Sequence, residues 1–261
     1  MSAKSRNRDD YQTVPRRIGA MSRSFPDAYL NDWHTHPRAQ LVYGVAGIME
    51  MRTPDGVWVL SPLRALWVPA GVRHQMRAHG PVELRTLFIQ QGEKDHDIMP
   101  RSECVIPVSP LLKELILRAT ELPVEYDEAG PEGKVMDLIL SEIKPSTADR
   151  LYLPTLEDER LKRLETLLRR DMSDNRNLEA WAGELHVSGK TLNRLIRKET
   201  GTGFSTWRQS LRIHLALLRL AAGEPITSVA LDVGYATPSA FTRMFRRVMG
   251  VTPREYLKQL D

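Results

Sequence analysis

One cysteine in 261 residues, Cys104, rules out an internal disulfide and fits a reducing compartment. Nothing beside it marks an activated thiol. Long hydrophobic runs are missing too. No stretch reaches the roughly 18 uncharged apolar residues a membrane span needs, and even LALLRLAA is broken by Arg219. The N-terminal MSAKSRNRDDYQ has no apolar run that could serve as a signal peptide. These absences predict a soluble, cytoplasmic protein. Core-forming residues are not scarce. A composition 41% hydrophobic and 27% charged is that of a folded chain, long enough for two modest domains.

The formal net charge is only +4, but it is unevenly placed. Residues 1–155 carry 19 Lys+Arg against 20 Asp+Glu; residues 156–261 carry 18 against 13, a net of +5. A polyanionic partner for the second stretch is consistent with this. So is a merely solvated surface.

Residues 1–14 read as a flexible arm. From Pro15 to Ile106 the text is short apolar runs broken by Gly, Pro and Asp, such as AQLVYGVAGIMEMRT, VWVL, RALWVP and VELRTLFIQ. That pattern predicts many short strands, a sandwich or small barrel. Thr53-Pro54-Asp55-Gly56 is a candidate turn between two of them. Over 107–144 the period becomes helical, with Leu111, Leu112, Leu115 and Ile116, then Val135, Leu138 and Ile139. The spacing predicts two antiparallel helices with an apolar face for a partner, or for the barrel. Residues 145–155, with prolines near both ends, are the expected linker.

Beyond it lies a repeat. Leu178, Trp181, Ala182 and Leu185 are spaced as one face of a short helix, and 48 residues later Ile226, Val229, Ala230 and Val233 repeat the spacing. A turn follows each, with His186 in the first copy and Gly234 in the second. Next come Leu192, Leu195 and Ile196, matched by Phe241, Met244 and Phe245. The opposite faces carry Lys190, Asn193, Arg194 and Arg197 in one copy, and Ser239, Thr242, Arg243 and Arg246 in the other. Such side chains reach base edges and phosphates. Each copy closes on a glycine, Gly201 or Gly250, suited to a helix C-terminus. Between the copies, Phe204 to Ala222 reads as one helix of about 30 Å. Successive major-groove faces recur about every 34 Å, so one chain could present both helices to one duplex.

With SGKTLNRLIRKETG and VALDVGYATPSAFTRMFRRVMGVTPREYL in view, residues 156–261 resemble the double helix-turn-helix domain of the AraC/XylS family of bacterial regulators. The resemblance implies base-reading positions at Lys190, Asn193 and Arg194 and at Pro238, Ser239 and Arg243, and Ser188 and Thr237 are further DNA-binding candidates. Two departures stand out. His186 replaces a usual Gly in the turn, and Pro238, suited to a first helical turn, replaces a frequent polar contact.

The segments WHTHPRAQLVYGVAG and VPAGVRHQM resemble the two motifs of the cupin superfamily, a small β-barrel, through His34, His36, Gln40 and Gly47 and through Pro69, Gly71 and His74. Histidines at i and i+2 on a strand share a face, and His74 would complete a three-nitrogen site for a divalent transition metal. Gln40 stands where metal-binding cupins usually have Glu; Leu63 and Ala78 also depart from the second motif. The alternative is a hydrogen-bonded lining for an organic effector, or a satisfied polar core. Trp33, Tyr43, Trp58 and Trp67 are candidates for pocket lining or for packing.

The expected architecture is therefore α+β in two domains: a cupin-like sensor barrel (15–106) with a helical dimerisation segment (107–144), then an all-α DNA-binding domain (156–261). The expected function is a sequence-specific transcriptional regulator, not an enzyme. Its barrel senses a small molecule or metal, and its expected partners are double-stranded DNA, a second copy of the chain and RNA polymerase. The alternative is a metal-dependent cupin enzyme fused to a DNA-binding domain; Gln40 in place of a carboxylate speaks against it.

Overall fold

The computed structural model describes residues 5–92, 99–145 and 152–258. Among them, residues up to 53 and from 60 to 145 form one compact unit, and residues 54–59 and 152–258 form another. No helix of the described residues is long and apolar enough to cross a membrane.

The first unit is the β-rich one. Its strands are β1 (Ile18–Phe25), β2 (Leu30–His34) and β3 (Ala39–Arg52). After β4 (Gly56–Leu60) come β5 (Arg64–Val68), β6 (His74–Ile89) and β7 (Cys104–Pro107). The long β6 organises the rest, since β1 pairs antiparallel with its second half, from Ile18↔Ile89 to Phe25↔Val82. On the same edge β2 pairs with its first half and brings His34 opposite His74. Strand β3 lies along its other edge, β5 pairs with β3 and β7 with β5.

The alternation of strand side chains divides the residues between two faces. Ala39, Leu41, Tyr43, Leu87 and Trp67 point to one. There they are covered by Leu112 and Ile116 of α1 (Pro110–Glu121) and by Met136 and Ile139 of α2 (Pro131–Glu142). Ser109 caps α1 by accepting from Leu112 N at 3.0 Å, and a proline opens each helix. Most of the apolar surface of 107–144 is spent on the sheet. Leu111 (52% exposed) and Leu138 (48%) are left outside.

Residues 5–14 are not a loose arm, contrary to the expectation from their polarity. Arg8–Tyr11 form a 3-10 turn, and Tyr11 is fully buried with Met21 and Phe88. The buried guanidinium of Arg38 donates to the carbonyls of Gln12 (2.9 Å), Val14 (2.6 Å) and Arg16 (2.9 Å). Three satisfied carbonyls and one buried ring hold a segment that composition alone marks as free.

The second unit begins with a strand pair. Strand β8 (Tyr152–Pro154) runs antiparallel to β4, with Gly56↔Pro154 and Trp58↔Tyr152 in register. Trp58 stacks on Tyr152 at 4.8 Å, and Thr155 N donates to Asp55 O at 2.8 Å. Position 56 must be glycine for this approach, because a Cβ would lie 2.5 Å from Leu153 O. Residues 146–151 of the expected linker lie outside the described residues. The remainder is partly strand, fixed because Leu153 is buried in the helical core.

That core is built by α3 (Glu159–Arg170), α4 (Leu178–Glu184), α5 (Gly189–Thr200) and α6 (Phe204–Ala221), followed by α7 (Ile226–Asp232), α8 (Pro238–Met249) and α9 (Pro253–Leu257). Trp181, Leu192, Ile196, Trp207 and Leu211 fill the first half. Phe241, Phe245 and Tyr256, with ring centroids 5.6 and 5.4 Å apart in sequence, fill the second. The apolar positions of the repeat are buried, except that Leu178 and Ile226, which open the first helix of each copy, are half-buried.

Candidate nucleic-acid interface and histidine cluster

Each helix-turn-helix is framed by local chemistry. Ser188 caps α5 by accepting from Thr191 N (3.2 Å), and Thr237 caps α8 by accepting from Ala240 N (3.1 Å). Both helices stop at a left-handed glycine, Gly201 (φ 68°) and Gly250 (φ 82°). The turns before them also match, with Gly234 at φ 86° and His186, a non-glycine, at φ 55°.

The predicted contact residues fall on the solvent side of these two helices. Lys190, Arg194 and Arg197 are exposed on α5 with Asn193 half-buried beside them. Ser239, Arg243 and Arg246 are exposed on α8, with Pro238 and Thr242 half-buried. Leu192, Leu195 and Ile196, and Phe241, Met244 and Phe245, are buried behind them. Ser188 and Thr237 have exposed hydroxyls that already serve as caps.

Several arginines elsewhere in this unit are committed, though among the described residues Arg170 and Arg254 are not. Arg219 bridges Glu224 and Asp232, Arg176 pairs with Asp174, and Arg169 pairs with Glu165. Among the described residues Lys190, Arg194 and Arg243 have no such partner. Cations without protein partners therefore stand on both second helices. The 18-residue α6 between the copies is about 27 Å long.

In the barrel, His34, His36 and His74 converge. Their ring centroids are 4.9, 4.3 and 5.2 Å apart, and one ligand atom from each lies within 4.8 Å of the others. His34 ends β2 and His74 starts β6; His36 lies just past β2 rather than on it, yet keeps the same side. Carbonyls orient two of the rings. Asp32 O is 2.5 Å from His34 Nδ1 and Val72 O is 2.9 Å from His74 Nδ1, which places the proton on Nδ1 and leaves Nε2 as a lone-pair donor. His36 is buried with neither nitrogen hydrogen-bonded, and His74 Nε2 is also without a partner.

Burial pushes the imidazole of His36 down to about 3, helped by the neighbouring His74 and His34, and that of His74 to about 4. Burial lowers His34 as well. All three are neutral near pH 7, the form that binds metal. Buried nitrogens with nothing to bond, in the neutral form, fit a divalent transition ion.

Gln40 is placed differently from the histidines. Its Nε2 donates to Thr86 Oγ1 at 2.9 Å, and Thr86 in turn donates to Leu41 O. The four aromatics form no common lining. Tyr43 and Trp67 are core beneath the helices, Trp58 stacks on Tyr152, and Trp33 is exposed under Arg73. Sequence reasoning missed Thr86. It also missed Arg8, which holds Asn31 Oδ1 at 2.8 Å and places a positive charge near all three histidines. Nothing in the text around Arg8 could have shown this.

A barrel with a histidine cluster, together with two helix-turn-helix units on one rod, defines a DNA-binding transcription regulator with a cupin domain. Family models agree, matching a helix-turn-helix domain over residues 181–259 and a cupin domain over residues 25–90. The HTH-type transcriptional regulator NimR of Escherichia coli K12 is 30% identical over 227 residues, which cover 87% of this chain and 82% of that protein. The HTH-type transcriptional regulator RipA of Corynebacterium glutamicum is 38% identical over 109 residues, 41% of this chain and 33% of that protein. Among solved structures, fatty-acid-bound ToxT from Vibrio cholerae covers 93% of this chain and 95% of its own at 15% identity, with a TM-score of 0.39. The chain belongs to the AraC family of HTH-type transcriptional regulators.

Proposed function

We propose that α5 and α8 enter successive major-groove segments of one operator. Lys190, Asn193, Arg194 and Arg197 face the first subsite; Ser239, Thr242, Arg243 and Arg246 face the second. Ser188, Thr237 and Pro238 lie at the helix starts, where a groove-bound helix meets base edges and phosphates. The observation that carries this reading is the pair of matched, capped helices on which Lys190, Arg194 and Arg243 have no protein partner, joined by one continuous α6. A pairing of that kind has no use in packing.

In the barrel, His34, His36 and His74 hold a divalent transition metal ion, through Nε2 of His34 and His74 and a ring nitrogen of His36. The ion supplies a Lewis-acidic point at which an effector can bind. The barrel carries no catalytic step, since Gln40 brings no carboxylate and its amide is engaged with Thr86. The regulator acts as a dimer in the cytoplasm, with Leu111 and Leu138 supplying apolar surface to a second copy. RNA polymerase is the further partner at the promoter.

Selection of duplexes from a random library by the full chain tests the DNA reading. The expected product is a bipartite site whose halves lie about one helical turn apart. Enrichment of a single short half, or none, would refute it. Metal analysis after dialysis tests the second part, with about one ion per chain expected.

A further inference from the structure

Helix α6 passes between the two helix-turn-helix units, and its Arg212 is buried (8% exposed). On one side Nη2 donates to Met172 O at 2.9 Å and to Asn175 Oδ1 at 2.8 Å, both in the loop that leads from α3 into the first unit. On the other side the guanidinium carbon lies 5.7 Å from the centre of the Tyr235 ring, in the turn of the second unit. Gly234 completes that turn at φ 86°, and a Cβ there would collide with Arg212 Nη2 and lie 2.6 Å from Met172 O. Asn175 closes the triangle, its Nδ2 donating to Gly234 O at 3.4 Å. One turn earlier on α6, Arg208 donates to Arg176 O at 2.8 Å.

Burying a guanidinium is costly, and burial together with the like charge of Arg208 draws the Arg212 pKa below the usual arginine range. A leucine would fill the same space without that cost. What a hydrocarbon lacks is a donor such as Nη2, which alone reaches Met172 O and Asn175 Oδ1, and a planar cation to set against the Tyr235 ring. Here the guanidinium ties the loop 172–175, which it hydrogen-bonds and which fixes where α4 and α5 begin, to the turn 234–235, which it packs against at Gly234 and Tyr235 and which fixes where α8 begins.

We infer that Arg212 is a positioning residue: through Met172, Asn175 and Gly234 it sets the angle and interval between α5 and α8, and so the spacing between DNA subsites that the protein accepts. The inference rests on the reading that both helices engage DNA. It differs from a general role in folding, because it concerns the relation of two units rather than the integrity of either.

The test uses the full-length protein and the duplex it enriches from a random library. Companion duplexes have either half scrambled, or one or two base pairs inserted between the halves. Two inserted pairs rotate the second half by about 70°, and the wild-type protein is expected to lose at least tenfold in affinity. Arg212→Met keeps the aliphatic stem and removes the guanidinium; Asn175→Ala removes the acceptor at an exposed position. In both, affinity for the intact duplex should fall, about tenfold and about threefold respectively. Affinity for each half alone should change less than twofold, and the insertion penalty should shrink to threefold or less. Arg212→Lys retains charge without the planar group that faces Tyr235 and should resemble Arg212→Met.

An unchanged insertion penalty in Asn175→Ala and Arg212→Met overturns the inference. So does equal weakening on halves and on the whole, which would assign Arg212 to the folding of one unit. If Arg212→Met does not fold, Asn175→Ala decides. Wild-type protein that binds one half as tightly as the pair overturns the two-helix reading, and this inference with it.

Discussion

Tyr11 lies directly over Gly19: a Cβ on that glycine would stand 3.2 Å from the Cβ and the backbone oxygen of the tyrosine. The same ring stacks against Phe88 at 6.1 Å, and Phe88 meets the edge of His36 at 5.0 Å. The N-terminal turn is thus part of the barrel, two contacts away from the histidine cluster.

Tyr11→Ala should therefore lower the stability of the barrel unit by about 3 kcal/mol, the usual cost of removing a buried aromatic ring. Gly19→Val should act in the same direction by lifting the ring. Urea unfolding followed by near-UV dichroism checks both. A change below about 0.5 kcal/mol in Tyr11→Ala would mean the segment is not packed in solution.

Arg194→Ala and Arg243→Ala should each cost about 1–3 kcal/mol on the selected operator and little on random duplex, if the guanidinium groups read base edges. Equal loss on both would reassign them to phosphate. Log affinity should fall linearly with log salt, with a slope of about −0.9 per phosphate neutralised. A flat salt response would be incompatible with cationic faces on DNA.

His36 offers a sharper test of the cluster, because both of its buried nitrogens are without a partner. His36→Leu should abolish metal retention. In metal-free protein it should raise stability by about 1 kcal/mol, since an unsatisfied buried polar group costs roughly 1–3 kcal/mol. Lowered stability of the metal-free variant would show that the imidazole has a structural task instead. His34→Ala and His74→Ala should also lose the ion; unchanged metal content in either would place it elsewhere.

His186 sits at φ 55° where the second copy has Gly234. A side chain in the left-handed region costs about 1–2 kcal/mol, partly offset by the larger entropy a glycine loses on folding. His186→Gly is expected to stabilise the helical unit by about 0.5–1 kcal/mol in a thermal melt. Destabilisation would show that the imidazole contributes a contact outweighing the strain.

The helical half was the more legible because its signals are local. The spacing of Leu178, Trp181 and Ala182 and the closing Gly201 and Gly250 are short-range rules. A repeated run of them fixes two units and their outer faces. The barrel is less legible. His34, His36 and His74 were legible through motif spacing, but Thr86 and Arg8 enter through pairings 46 and 23 residues apart in the chain. The buried state of Tyr11 was hidden in a polar segment, as was the part Leu153 plays in the helical core.

By itself the sequence determined the class of element at each point, which faces are apolar, and where the cations and imidazoles stand along the chain, because periodicity and capping act over a few residues. The tertiary structure alone decided which distant groups meet: three imidazoles at one end of a barrel, Arg38 on the carbonyls of residues 12–16, and Arg212 between two turns. Those meetings depend on strand register and helix packing, whose energies are summed over contacts far apart in the chain. No local pattern encodes them.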